Sequence, residues 1–175
     1  FNIKTIAELK KAHERNKIKL THEQILGIKY HKHLPYTLTR SEAEKVKIFI
    51  DKKLEKIDDN YTTILAGSFR RQKKELNDID LVIYGKINQN SMLDIINVIQ
   101  PIISDTILSG KVKFSGIIRL NKTYMFRRLD IRLVSKADLW ATLLYFTGSK
   151  EFNMKMRRIA KNKGYLLNEY GLYKI

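Results

Sequence analysis

The chain has no cysteine, only two prolines and eight glycines among its 175 residues. Without cysteine it forms no disulfide and offers no thiolate to a metal, which excludes a zinc ribbon and fits a reducing compartment. No low-complexity linker and no internal repeat is visible, and one catalytic module is the simplest organisation for this length. No apolar run approaches the ~18–20 residues that span a bilayer, and the N-terminus lacks a signal-peptide core. No membrane contact is therefore expected, and the location is expected to be intracellular, nuclear or cytoplasmic. Acidic residues are also scarce: 18 Asp plus Glu stand against 34 Lys plus Arg, a net charge of +16. With 43% hydrophobic residues this is no disordered basic tail. An excess of that size on a folded chain points to a polyanion, because each Lys or Arg placed on a phosphate releases condensed counterions. Nucleic acid is the expected partner.

From Ile3 to Tyr30 apolar residues alternate irregularly with charges, and Thr21 with Gln24 has capping-box spacing, so short helices are expected. Leu34-Pro35-Tyr36 interrupts them and marks a subdomain boundary. Ser41 opens the next helix, which runs until Asp58-Asp59-Asn60. Thr62–Ala66 reads as a buried strand, Gly67-Ser68 as a turn, and Ile79–Tyr84 as a second strand ending at Gly85. Residues 91–103 read as a helix. Lys111–Leu120 and Tyr124–Val134 read as paired strands around Asn121-Lys122, and Lys136–Phe146 as a helix with Trp140 in its core packing. A basic helix, Glu151–Lys163, and a short extended tail follow. Helical ends around a mixed centre predict an α+β fold.

Asp78 and Asp80 flank Ile79 at a strand start, where alternating side chains send both carboxylates to one side. Two hard anionic oxygens side by side repel each other and suit Mg²⁺. On its own a D-x-D is weak evidence. Its weight rises because Gly67-Ser68-Phe69-Arg70-Arg71 lies one short loop upstream. Gly67 allows a phosphate close to the backbone, Ser68 offers a hydroxyl, and Arg71 offers a fork of donors. A third carboxylate is then expected on a neighbouring strand, and Asp130 in Arg128-Leu129-Asp130-Ile131-Arg132 is the best candidate. His31-Lys32-His33 has no accompanying ligands and reads as exposed loop.

These motifs, in this order, resemble DNA polymerase family X within the nucleotidyltransferases. Gly67–Arg71 with Asp78-Ile79-Asp80 resembles the palm motif, and Arg128–Arg132 the strand of the third carboxylate. Tyr145-Phe146-Thr147-Gly148-Ser149 with Phe152-Asn153 and Met156-Arg157 resembles the nucleotide-pocket helix. Thr21-His22-Glu23-Gln24 with Gly27-Ile28-Lys29-Tyr30 resembles the preceding DNA-binding helices. The resemblance implies a polymerase β-like palm sheet with flanking helices (37–144), a partial helical DNA-binding subdomain (1–36) and a partial nucleotide-pocket subdomain (145–175). It implies a template-dependent DNA polymerase that adds dNTPs to a primer 3′-hydroxyl, filling short gaps in repair as a monomer on gapped or primer-template DNA. Two Mg²⁺ ions, replaceable by Mn²⁺, would be held by Asp78, Asp80 and Asp130. Arg40, Gly67, Ser68, Arg71 and the Asn77 amide would serve the nucleotide phosphates. Tyr145, Phe146, Gly148 and Asn153 would shape the sugar and base pocket, with Tyr145-Phe146 crowding a ribose 2′-hydroxyl. Arg128 and Arg157 would contact DNA.

The chain departs from the family pattern at Thr39, Asn77, Lys150 and Met154, which bears on pocket fidelity more than on chemistry. It begins at Phe1 rather than Met and stops soon after Asn168–Tyr173, so both end subdomains are expected to be incomplete. A template-independent terminal transferase is the nearest rival, disfavoured by the short loop from Leu120 to Arg127. Another nucleotidyltransferase would not explain Tyr145–Arg157, and an inactive DNA-binding module would not need three carboxylates.

Overall fold

The computed structural model describes residues 2–58 and 60–175; Asp59, within the expected break Asp58-Asp59-Asn60, lies outside them. Two short helices come first, α1 (Ile6–Glu14) and α2 (His22–Lys29). Each begins with a reciprocal capping box, Thr5 with Glu8 and Thr21 with Gln24, which satisfies two otherwise unpaired amides at each start. The two-residue strand β1 (Leu38–Thr39) leads into α3 (Arg40–Leu54), where the Thr39 hydroxyl accepts the Glu42 amide proton.

Next come β2 (Thr62–Leu65), the single turn α4 (Gly67–Arg70), β3 (Glu75–Leu76), which pairs with β1, and β4 (Ile79–Gly85). The segment read as one helix over 91–103 divides in two. Helix α5 (Ser91–Ile99) and a 3₁₀ turn (Gln100–Ile102) give way to strand β5 (Ile103–Ser109). Pro101 supplies no amide for a continuing helix, which ends the α-helical bonding there. After β5 follow β6 (Lys113–Ile118), β7 (Arg127–Ser135), α6 (Leu139–Thr147), α7 (Lys150–Asn162) and the hairpin β8 (Tyr165–Leu167) with β9 (Leu172–Lys174).

Five strands form the main sheet in the order β2-β4-β7-β6-β5. Only β4 and β7 run parallel; the other pairs are antiparallel. Because side chains alternate, the register divides the sheet residues between two faces. Leu81, Ile83, Leu129, Ile131, Leu133 and Phe114 belong to one face and form the main core with Ala43, Val46, Ile50 and Leu54 of α3 and Met92, Ile95 and Ile99 of α5. On the other face Val82 and Val134 pack under Leu139 and Leu143 of α6, while Ile117 packs under Leu26 of α2 and Tyr30. Between those two helix contacts in the register lie Arg128, Asp130 and Asp80.

A buried ion pair ties the parts. Arg127 is 7% exposed and donates to both Glu42 oxygens, at 2.9 and 3.2 Å, and to the Tyr36 carbonyl at 2.7 Å. Trp140 corrects an expectation: it is 71% exposed rather than core. Helix α6 is apolar around most of its circumference, and the stripe it buries is Leu139, Thr142 and Leu143, leaving Trp140 outward. It rims an apolar cleft with Leu144, Ile159 and Leu172.

Candidate active site

The sheet brings together the residues on which the sequence reading turned. Asp80 on β4 and Asp130 on β7 are register partners in the parallel pair. Asp78 stands just before β4 begins. At the end of β2 the Ala66 amide donates to the Asp80 carbonyl at 2.9 Å, which fixes the start of the Gly67–Arg71 segment beside that carboxylate. Gly67 takes φ +50°, and a Cβ there would lie 1.7 Å from Asp80 Oδ2. Only glycine both adopts that backbone without strain and leaves room for the carboxylate.

Burial and like charge act together on these acids. Burial first, then Asp78 and Asp130, push the Asp80 carboxyl up to about 7, against the opposing pull of Arg128 and Arg71. Asp78 is raised chiefly by burial, with Asp130 adding to it and Arg128 and Arg71 offsetting. One Asp130 oxygen accepts from Arg128 Nη2 at 2.7 Å. Among the described residues no three acidic or histidine side chains stand close enough to cage a cation as they are. The donor set nevertheless fits a hard divalent ion. Three carboxylates face one region with too few cations to neutralise them, and the oxygen nearest the glycine sits in a space kept free of side chain.

Across from the acids, Arg71 Nη1 donates to the Thr147 carbonyl at 2.5 Å and Arg70 to the Thr147 hydroxyl at 3.2 Å. These bonds join the Gly67–Arg71 segment to the end of α6 and border an open cavity of about 500 Å³. Gly67, Arg71, Asp80, Tyr145, Phe146, Gly148 and Asn153 all line it, as do Lys150, Met154 and Arg157. Ser149 caps α7 by accepting the Phe152 amide proton. Asn153 donates to the Tyr145 carbonyl at 2.7 Å. The Arg157 guanidinium lies 5.3 Å from the centre of the Tyr145 ring, and Arg132 lies 5.8 Å from it.

Three of the residues expected at the nucleotide phosphates do not line the cavity. Arg40 does not line the cavity; its guanidinium donates to the Phe69 and Lys73 carbonyls at 2.7 and 3.2 Å and stacks 3.8 Å from the Phe69 ring. Ser68 lies within α4 and Asn77 is exposed before β4, neither lining the cavity. Arg70 and Thr147 escaped the sequence reading as a bridge, although both lie inside quoted motifs. Their pairing spans 77 positions and has no local signal.

The sequence matches the family description "DNA polymerase beta palm" over residues 37–136 and "DNA polymerase beta thumb" over residues 142–175. It is 30% identical to DNA polymerase lambda of Rattus norvegicus over 164 residues, 87% of this chain and 29% of that protein. It is 36% identical to the DNA polymerase/3'-5' exonuclease PolX of Bacillus subtilis over 110 residues, 61% of this chain and 18% of that one. The chain thus spans less than a third of either relative. Its fold is similar to the crystal structure of Leishmania infantum polymerase beta in a ternary P/T complex. That match has a TM-score of 0.88 and 30% identity, and covers 98% of this chain and 70% of the other.

Proposed function

Because the chain belongs to DNA polymerase family X, we propose that it is the catalytic part of a template-dependent DNA polymerase that adds deoxynucleotides to a primer 3′-hydroxyl, filling short gaps. The observation that carries this reading is the pairing of Asp80 with Asp130 beside the bare backbone of Gly67, opening on the cavity beneath Tyr145 and Asn153. In this reading residues 1–36 grip DNA, 37–144 form the palm and 145–175 hold the nucleotide.

Asp78 and Asp80 would hold two Mg²⁺ ions, or Mn²⁺ in their place, with Asp130 completing the site of the ion nearest the primer. Such ions, when bound, acidify the attacking hydroxyl and neutralise the triphosphate. The rest of the work belongs to side chains of this protein. Arg71 presents its guanidinium to the outer phosphates, aided by the Gly67 backbone, the Ser68 hydroxyl and the Asn77 amide. Arg40, occupied by the Phe69 and Lys73 carbonyls, serves by holding that loop in shape. Tyr145 and Phe146 exclude a 2′-hydroxyl, Asn153 locks the Tyr145 backbone in place, and Gly148 lets the chain pass Arg71 closely. Arg128, which here donates to Asp130, would contact DNA phosphate, and Arg157 the template strand.

The loop between β6 and β7 supports a templated rather than an untemplated reaction. It is short and folded on itself, with Arg119 donating to the Tyr124 and Lys122 carbonyls at 2.7 and 2.6 Å. The test is insertion of each dNTP singly opposite each templating base in a one-nucleotide gap. Selective insertion of the complementary dNTP is expected; equal use of all four, or extension of single strands, would favour the terminal-transferase alternative.

A further inference from the structure

Strand β5 is an edge of the main sheet, and its pairing with β6 slips twice, between Ile103 and Asp105 and between Thr106 and Leu108. Bulges of this kind bend an edge strand and re-aim its side chains. Here α2 docks at the bent stretch. Lys29 Nζ lies 2.6 Å from Asp105 Oδ2, and the Tyr30 hydroxyl donates to the same oxygen. His22 Nε2 lies 2.8 Å from the Thr106 carbonyl. Beneath these polar bonds Ile107 packs with Leu26, Tyr30 and Ile117, and the Tyr30 and Phe126 rings meet with their centres 4.8 Å apart. Tyr30 is only 4% exposed, so its hydroxyl depends on Asp105 for a partner.

The register links this junction to the acids. Asp105 opposes Ile117 on β6, and Ile117 opposes Arg128 on β7, the residue that holds Asp130. The docking point thus lies two strand spacings, roughly 10 Å, from Arg128 along one row of a hydrogen-bonded sheet.

We propose that Asp105 is a positioning residue whose carboxylate latches α2 to the sheet edge and so sets the distance between the DNA-gripping helices and the catalytic acids. The proposal rests on the polymerase reading for what α1 and α2 grip, but the latch itself is a property of the fold. Asp105 touches no reacting atom. Its loss loosens the helices while leaving the acids and the nucleotide cavity intact.

The chain's lack of cysteine allows two spin labels to be placed cleanly, at Lys11→Cys on α1 and Lys52→Cys on α3, both exposed. The doubly labelled protein should give one narrow distance distribution, and adding Asp105→Ala should broaden it. In gap filling, Asp105→Ala should raise the KM for gapped DNA about tenfold. The kcat at saturating DNA and the KM for dNTP should stay within about twofold. The swap Lys29→Asp with Asp105→Lys should restore part of the DNA affinity that either single change removes. An unbroadened distance distribution, an unchanged KM for DNA, or an equal fall in kcat would overturn the proposal. Should Asp105→Ala not fold, Asp105→Asn decides, since it keeps an oxygen to accept from the Tyr30 hydroxyl while losing the Lys29 ion pair: a broadened distance distribution with a raised KM for DNA supports the latch, and unchanged values overturn it. If the unaltered protein binds gapped DNA without extending it, the polymerase reading fails, while the distance measurement and DNA affinity still judge the latch.

Discussion

Asp80 and Asp130 face each other as register partners across the parallel strands β4 and β7, so their backbones stand about one strand spacing, ~4.8 Å, apart. Asp130 on one side and Asp78 on the other both disfavour charge on Asp80. Asp80 bears most of the consequence, pushed up to about 7 by burial and then by its two acidic neighbours.

A pH dependence follows. In the unfolded chain Asp80 regains an ordinary carboxyl, so between about pH 4 and 7 the metal-free folded state binds a proton that the unfolded state does not. That contribution is full below about pH 4 and lost as pH rises through 7, on the order of a few kcal/mol. Subtracting the melting curve of Asp80→Asn from that of the unaltered protein isolates it. The difference should move against the native protein as pH climbs from 4 to 8. Mg²⁺ should raise Tm more at pH 8 than at pH 6, where protons compete for the same oxygens.

Gly67→Ala should abolish metal-dependent activity with a modest loss of stability. The new methyl would overlap Asp80 Oδ2, and φ +50° costs a non-glycine residue about 1 kcal/mol. Urea unfolding and Mn²⁺ titration separate the two effects. Normal Mn²⁺ affinity would show that the Asp80 carboxylate does not need the space beside Gly67.

Arg127→Met should destabilise the fold by roughly 3–5 kcal/mol, because it strands the Glu42 carboxylate, whose side chain is 12% exposed, and leaves the Tyr36 carbonyl without this donor. The double change with Glu42→Met should recover much of that loss in denaturant unfolding. A double variant as unstable as the single would count against an unpaired charge as the cause.

Tyr145→Ala should raise ribonucleotide use relative to deoxynucleotide by roughly tenfold or more, the scale of a lost steric contact. Competition of rNTP against dNTP in one-nucleotide gaps reads the ratio directly. An unchanged ratio removes Tyr145 from sugar selection.

Much of this site is written locally. Gly67, Asp78, Asp80 and the Tyr145–Arg157 stretch lie in short motifs whose chemistry is set by residue type and spacing, and Asp130 sits in an alternating strand whose buried positions are plain. The capping box at Thr21 was equally legible. What escaped depends on distant partners. Strand β5 went unread, apart from Ile103 at the end of the expected helix, because Ser104, Asp105 and Thr106 lack an apolar alternation and its pairing slips twice. The roles of Asp105 and Arg127 come from Lys29, Tyr30 and Glu42, separated from them by 75 to 85 positions. Trp140 was misplaced because α6 is apolar around most of its circumference, so periodicity could not tell its inner face from its outer.

The most direct test of the central claim is single-turnover insertion of one complementary dNTP into a one-nucleotide gap with Mg²⁺, comparing the unaltered protein with Asp130→Asn. The account predicts insertion by the former and a rate lower by at least about 1000-fold in the latter, with DNA and dNTP affinity retained. Equal rates for the two proteins, or no insertion by the unaltered protein with either Mg²⁺ or Mn²⁺ while it still binds the gap, would contradict it.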